Sequence, residues 1–150
     1  MAAPILQVAA KAVIVDGAGR LLLVRESRKA TNTQEGRYGT VGGRLQPGEG
    51  FFDALHREVK EETGLIVEPI ALTGVYKNMS RGIIALVFRC RPNGGALTEN
   101  SEVAGFRWIR EADVSSIMSE AYAVRILDAY QHNAITSIRN HDGVRLVVPG

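Results

Sequence analysis

The chain has 150 residues, of which 45% are hydrophobic and 23% charged, so we expect one globular domain over residues 1–150 and exclude general disorder. The formal net charge of +2 comes without a dense run of Lys or Arg, which argues against a nucleic-acid-binding protein. No apolar segment resembles a signal peptide or is long enough to span a bilayer. We therefore expect a cytoplasmic protein whose partners are neither membranes nor nucleic acids.

The single cysteine, Cys90, lies in an apolar run over residues 83–90. One cysteine cannot form an internal disulfide, and no Cys/His cluster has the spacing of a zinc site. The surroundings favour a buried, inert thiol over a nucleophile.

The N-terminal half opens with two apolar runs, residues 8–15 and 21–24, on either side of an Asp-Gly turn signal. This pattern predicts a β-hairpin. The polar composition of residues 25–39 predicts a loop. Residues 51–63 lack Gly and Pro, are rich in helix formers and are followed by Gly64, so they are predicted to form a helix.

The C-terminal half predicts three strands at residues 65–75, 83–90 and 106–109, with a turn at 92–95 and a polar loop at 99–103. A polar turn or short helix at 111–117 and a helix at 119–132 follow, and residues 137–139 and 144–148 flank a turn signal as a terminal hairpin. Strands and helices together predict an α+β domain.

The predicted helix carries Glu58, Glu61 and Glu62 at spacings of three and four residues, which places them on one face. Like charges at this spacing repel each other, and the helix dipole disfavours anions near the C-terminus. A bound hard divalent cation would relieve both penalties. The alternative for such a cluster in isolation is a solvated acidic face balanced by Arg57 and Lys60.

The surrounding residues resemble the Nudix box, which reads Gly, five residues, Glu, seven residues, Arg-Glu, an aliphatic residue, any residue, Glu-Glu, any residue, Gly and an aliphatic residue. The chain matches every position, with Gly43, Glu49, Arg57, Glu58, Val59, Glu61, Glu62, Gly64 and Leu65. Seven fixed identities would match a given window by chance roughly once in 10⁸. By this resemblance the chain is identified as a member of the Nudix hydrolases, which implies an α/β/α sandwich with a mixed β-sheet.

The resemblance implies Mg²⁺-dependent hydrolysis of a phosphoanhydride bond in a nucleoside diphosphate linked to another group, with Mn²⁺ as a substitute metal. Glu58 and Glu62 are the implied principal metal ligands. Glu61 is the implied third ligand or the base that orients water. The carbonyl of Gly42 or Gly43 would complete the metal shell. Glu58 and Glu61 therefore count among the catalytic candidates.

Further roles follow from the same resemblance. Arg57 would pair with the box carboxylates and hold their rotamers, and Glu49 would steady the preceding loop or bind metal through water. Glu102, six residues before Trp108, is the candidate general base on a later loop, with Glu99 in reserve. An ordinary solvated glutamate is the alternative for Glu102.

Four residues outside the box are candidate substrate contacts. Arg25 could meet a phosphate, and Tyr38, Tyr76 and Asn78 could line a base pocket. The alternatives are an ordinary strand-end charge for Arg25 and packing or turn residues for the other three.

The additional motifs of the NADH-cleaving, ADP-ribose and dinucleoside polyphosphate subgroups are absent, so the chain is most similar to the mutator-type nucleoside triphosphate pyrophosphohydrolases. The expected substrate is a small nucleotide, either a nucleoside triphosphate or a modified nucleotide. Nucleotide sugars, other diphosphates and a non-hydrolytic nucleotide-binding regulator stay open. The hairpin at residues 137–150 could cap the site, join two subunits into a homodimer or be purely structural.

Overall fold

A computed structural model of the chain describes residues 5–26, 38–131 and 135–148. Within these residues the larger sheet has six strands, β1 (Gln7–Ile14), β4 (Val41–Arg44), β5 (Leu65–Asn78), β6 (Ile83–Gly95), β8 (Ser137–His141) and β9 (Leu146–Val147), in the spatial order β4-β1-β6-β5-β8-β9. A smaller sheet has the order β3-β2-β7 and consists of β2 (Leu21–Glu26), β3 (Tyr38–Gly39) and β7 (Val103–Ile109). The larger sheet is mixed, because β1 is parallel to β6 but antiparallel to β4.

Helices cover both faces of the larger sheet. The helices are α1 (Phe51–Thr63), α2 (Val114–Ile117), which follows a 3-10 turn at Glu111–Asp113, and α3 (Glu120–Ala129). Ala12 of β1 belongs to the core cluster that contains Leu55 and Val59 of α1, whereas its neighbour Val13 belongs to the cluster that contains Ile126 of α3. Since successive strand residues point to opposite faces, α1 and α3 lie on opposite sides, as the predicted sandwich requires.

Helix α1 confirms the sequence prediction over residues 51–63. It ends at Gly64, which has a left-handed φ of 80° and donates its N–H to the Lys60 carbonyl. A Cβ at Gly64 would also clash with the Ala96 carbonyl oxygen. Both the backbone conformation and the close approach therefore favour glycine as the helix stop.

The predicted hairpin between the first two apolar runs is wrong in its pairing. The turn itself forms, with the Asp16 N–H donating to the Arg20 carbonyl at 2.9 Å and one isolated bridge between Val15 and Leu21. Beyond this bridge β1 pairs with β4 and β6, while β2 pairs with β3 and β7. The turn carries the chain from one sheet to the other, because strands distant in sequence supply both neighbours of β1.

Two further predictions need correction. The predicted turn at residues 92–95 belongs to β6, where register shifts in the pairing with β5 accommodate Pro92 and Gly95. The predicted loop over residues 25–39 begins and ends in strand, since Arg25 pairs with Tyr38. The central part of this loop, residues 27–37, lies outside the described residues.

The terminal hairpin and the buried cysteine are confirmed. β8 and β9 pair antiparallel, and β8 lies parallel to β5 at the end of the larger sheet. Cys90 is fully buried, and burial raises the pKa of its thiol to about 12. None of the helices in the described residues is long and apolar enough to cross a membrane.

Candidate active site

Arg57 of α1 joins the carboxylates of the box. Its Nε and Nη2 donate to the two oxygens of Glu49 at 2.6 and 2.9 Å. Its Nη1 donates to Glu58 at 3.0 Å and to Glu61 at 3.2 Å. The hydrogen bonds from Arg57, helped by one from the Gln46 N–H, lower the pKa of Glu49 to about 2. The same contact with Glu49 raises the pKa of Arg57, so this pair stays charged at neutral pH.

The backbone at Gly42 and Gly43 lies directly against two box carboxylates. The Gly42 N–H donates to Oε2 of Glu62 at 2.7 Å. A Cβ at Gly43 would lie 2.6 Å from the carboxyl carbon of Glu58, so a side chain at this position would displace the carboxylate. Lys11 of β1 donates to the Gly42 carbonyl at 3.2 Å. Two carboxylates and a lysine therefore lie against the backbone of Gly42 and Gly43.

This arrangement fits a hard divalent cation. Carboxylate and carbonyl oxygens are the ligands that Mg²⁺ prefers, and the backbone at Gly43 lies close to the Glu58 carboxylate. Across the described residues, no three His, Cys, Asp or Glu side chains are already gathered as a metal-binding group. The carboxylates of Glu58, Glu61 and Glu62 instead contact Arg57 and the Gly42 N–H, so a cation would have to replace these contacts.

The loop that carries Glu102 is attached to the end of α1 through Asn100. The Asn100 amide donates to the carbonyls of Glu61 and Glu62 at 2.9 and 3.1 Å. Its Oδ1 accepts from the backbone N–H of Glu102 and of Val103 at 2.8 and 3.1 Å. The structure therefore brings the Glu102 backbone beside the last turn of the box helix, although the Glu102 side chain is exposed. The reserve candidate, Glu99, is exposed in the same loop.

Arg25 and Tyr38 lie on the smaller sheet, where they form one cross-strand pair between β2 and β3. Both are partly buried. The guanidinium of Arg107 lies 5.9 Å from the centre of the Tyr38 ring, so Tyr38 has packing neighbours of its own. The structure keeps these two candidates together but shows no contact between them and the box carboxylates.

Tyr76 is not brought to the box, contrary to its assignment as a pocket residue. Its side chain is fully buried in the core cluster on the α3 side of the sheet. The hydroxyl donates to Asp128 at 2.6 Å, and burial together with this contact raises the pKa of Tyr76. The β5 alternation that exposes one face turns Tyr76 into the core, so it acts as a packing residue.

Asn78 does line a cavity that adjoins the box. The cavity has a volume of about 310 Å³ and is also lined by Lys11, Gly43 and Arg44. Asn78 is buried, and its Oδ1 accepts from the backbone N–H of Ser80 at 3.1 Å. It is thus a turn residue as well as a lining residue.

Sequence reasoning missed three residues of this region. Lys11 is the only charge in the first apolar run, but its role was not predicted from the sequence. Arg125 of α3, which lines the same cavity, and Asn100 gave no signal, because their contacts join segments that are distant in the sequence. Neither residue belongs to a local motif.

Known proteins resemble this chain over most of its length. The model of the NUDIX domain family matches residues 5–130. A MutT-like protein from Streptomyces ambofaciens is 42% identical over 147 residues, covering 98% of this chain and 91% of the relative. An 8-oxo-dGDP phosphatase from Mus musculus is 31% identical over 139 residues, which is 93% of this chain but only 37% of that protein.

Solved structures show the same fold. The crystal structure of a UDP-X diphosphatase superimposes with a TM-score of 0.74 at 20% identity, over 92% of this chain and 69% of that chain. An ADP-ribose pyrophosphatase from Streptococcus suis gives a TM-score of 0.71 at 21% identity, over 89% of this chain and 99% of that chain.

The fold and the matched box define a phosphoanhydride hydrolase. The chain belongs to the NUDIX family, and it is a pyrophosphohydrolase.

Proposed function

We propose that this protein hydrolyses a phosphoanhydride bond of a nucleoside triphosphate or modified nucleotide in a Mg²⁺-dependent reaction at the carboxylate face of α1. The observation that carries the proposal is the contact of Glu58 and Glu62 with the backbone at Gly42–Gly43. This is the one place in the described chain where two box carboxylates meet a backbone segment that can accompany them as a ligand.

Glu58 and Glu62 would hold the cation as principal ligands, with Glu61 as a third ligand and a carbonyl of Gly42 or Gly43 completing the set. When bound, Mg²⁺ neutralises the diphosphate oxygens and lowers the pKa of a coordinated water. Mn²⁺, which accepts the same oxygen ligands, would be able to replace it.

The protein's own groups would orient the reaction. Arg57 is fixed to Glu49 by two hydrogen bonds and contacts Glu58 and Glu61, so it would hold both carboxylates in place. The proton of the attacking water would pass to a carboxylate, either Glu61 on the helix or Glu102 on the loop beside its last turn.

The choice of nucleotide rests on the relatives as well as on the site. The named activities of the relatives concern nucleoside diphosphate derivatives, including 8-oxo-dGDP and ADP-ribose. We propose a small-molecule nucleotide as the partner, an intracellular site of action, and one domain that includes the C-terminal hairpin. Arg25 would contact substrate from the smaller sheet, together with Tyr38.

A substrate panel tests the proposal. The purified protein is incubated with Mg²⁺ and nucleoside triphosphates, 8-oxo-nucleotides, ADP-ribose and nucleotide sugars, and the products are identified by mass spectrometry in ¹⁸O-labelled water. We expect a nucleoside monophosphate as one product and loss of turnover with EDTA. Tight nucleotide binding without turnover of any substrate would contradict the proposal and indicate a binding regulator instead.

A further inference from the structure

The cavity beside the box is lined by positive side chains, and we call it the cation cavity. Lys11, Arg44, Arg81 and Arg125 all line it, and none of its described lining residues is acidic. Its volume of about 310 Å³ lies at the lower end of small-molecule sites, which span roughly 300–1,000 Å³. Since Gly43 also lines it, the cavity reaches the strand that lies against the Glu58 carboxylate.

Arg125 is buried in this cavity without an acidic partner. Only 5% of its surface is exposed, and none of the ion pairs in the described residues includes it. Its Nε is the one buried side-chain nitrogen or oxygen among these residues that lacks a hydrogen-bond partner. Its guanidinium lies 5.3 and 4.9 Å from the ring centres of Tyr76 and Tyr122. Aromatic faces attract the cation but do not neutralise it.

The neighbouring polar groups cannot supply the missing negative charge. Nη2 of Arg125 lies 2.7 Å from Nε2 of His141, and an arginine can only donate there, so His141 must be neutral. The nearby carboxylate, Asp128, already accepts two hydrogen bonds from Arg139 and one from Tyr76. A guanidinium stays charged even when burial lowers its pKa. An unpaired buried charge is unfavourable unless a ligand compensates it.

The cavity also offers mainly hydrogen-bond donors. Lysine and arginine side chains donate but cannot accept. Oδ1 of Asn78 is already used by the backbone N–H groups of Ser80 and Arg81, which leaves its amide nitrogen as a donor. A phosphate group accepts several such bonds and carries the required charge. Guanine presents two acceptors, O6 and N7, to an arginine, but a neutral base leaves the charge of Arg125 uncompensated.

We infer that the cation cavity binds a phosphate group that the substrate carries in addition to the diphosphate at the box. The inference rests on the proposed function and narrows its substrate class. The additional phosphate could be the third phosphate of a triphosphate chain or a phosphate on the sugar of the nucleoside. Diphosphates whose second substituent is neutral, such as nucleotide sugars, would lack this contact and be poorer substrates.

The main test compares KM values in the Arg125→Met variant. Met replaces the charge with an apolar side chain that fits a buried position. We expect KM for a nucleoside triphosphate to rise by about tenfold or more, as for loss of a charged hydrogen bond. KM for a nucleotide sugar with the same base should change less than about twofold. A nucleoside diphosphate carrying a 3′-phosphate is the third substrate, which separates the two sources of the phosphate. Equal losses for all substrates would overturn the inference.

A second arm varies the base at a constant number of phosphates. If Arg125 binds phosphate, the loss in the variant is the same for adenine, guanine and uracil triphosphates. A loss that depends on the base would overturn the phosphate assignment. The exposed Arg110→Met variant, which removes the same charge away from the cavity, is the matched control and should behave as the original protein.

A binding measurement separates this inference from the proposed activity. Inorganic tripolyphosphate should raise the melting temperature of the original protein and of Arg110→Met, but have a much smaller effect on Arg125→Met. This result is independent of turnover, so it stands even if the substrate panel shows no hydrolysis. Equal stabilisation of Arg125→Met would overturn the inference. If Arg125→Met does not fold, the same KM and melting-temperature measurements are made on Arg81→Met. Because the Arg81 side chain is exposed, we expect a smaller loss of phosphate binding.

Discussion

Arg57 and Arg125 carry the same guanidinium on different helices, yet their surroundings are opposite. Arg57 is partly exposed and contacts three carboxylates, those of Glu49, Glu58 and Glu61. Arg125 is buried beside aromatic rings and a neutral histidine, without a carboxylate. The guanidinium at the box therefore has carboxylate partners within the chain, whereas the one in the cation cavity has none among the described residues.

The difference separates two tasks. At the box, Arg57 contacts carboxylates that would otherwise repel each other, and under the proposed function it would hold them in place for a cation. In the cavity, the chain keeps a buried positive charge that only a ligand can neutralise. The predictions below test each side of this comparison, and the largest effect is expected at the box.

The largest expected effect follows from Glu62→Gln. The side chain faces the Gly42 N–H and not the core, so the variant should fold, as circular dichroism can check. Loss of a metal ligand should lower kcat by on the order of 10²-fold or more. Glu68→Gln is the control, because Glu68 forms an exposed ion pair with Arg91. Near-normal turnover of Glu62→Gln would show that the Glu62 carboxylate is not a metal ligand.

The next effect concerns acid stability on the cavity side. Burial, together with the charge of Arg125, lowers the pKa of His141 from 6.5 to about 4. Between these pH values the unfolded chain binds more protons than the folded protein, so the free energy of unfolding falls as the pH falls. The contribution of His141 to stability is fully present above pH 6.5. The loss should reach about 3 kcal/mol at pH 4. Urea unfolding between pH 7 and 4 measures it.

The matched variant for this experiment is His141→Gln, which cannot titrate. Its stability should change little between pH 6.5 and 4.5, the range in which the original protein loses most. An equal decline in both proteins would show that other groups are responsible and that His141 is not the neutral partner of Arg125.

Arg57→Lys keeps the charge but loses the two parallel hydrogen bonds to Glu49. Since lysine cannot make this paired contact, the carboxylates should be less well positioned, and kcat should fall by about 10- to 100-fold. Steady-state kinetics provide the measurement. The exposed Lys60→Gln variant on the same helix should retain normal rates, and full activity of Arg57→Lys would reduce Arg57 to a simple counter-charge.

The smallest effect is expected from Asn100→Ala, which detaches the Glu102 loop from the end of α1. If Glu102 is the base, kcat should fall by about tenfold because the loop is less well positioned. The same substitution in a Glu102→Gln background should then cost little more. Additive losses in the double variant would mean that Asn100 acts independently of Glu102.

The sequence was sufficient for the box helix because periodicity, composition and the Gly64 stop are local properties that agree with each other. It failed for the first hairpin, since the pairing of β1 depends on strands that lie far along the chain. Tyr76 was assigned to a pocket because the sequence does not reveal which face of β5 packs against the core. Arg125 was missed because its contact with His141 joins α3 to the terminal hairpin, two segments that are separate in the sequence.

The most direct test of the account is to measure Mn²⁺ binding to the carboxylate face. The electron paramagnetic resonance signal of the free ion reports how much Mn²⁺ is left unbound. The original protein and Glu68→Gln should bind Mn²⁺ with the same affinity, and Mg²⁺ should compete. Glu58→Gln and Glu62→Gln should each bind at least about tenfold more weakly. Equal Mn²⁺ affinity in all four proteins would contradict the claim that Glu58 and Glu62, beside Gly42–Gly43, hold the cation.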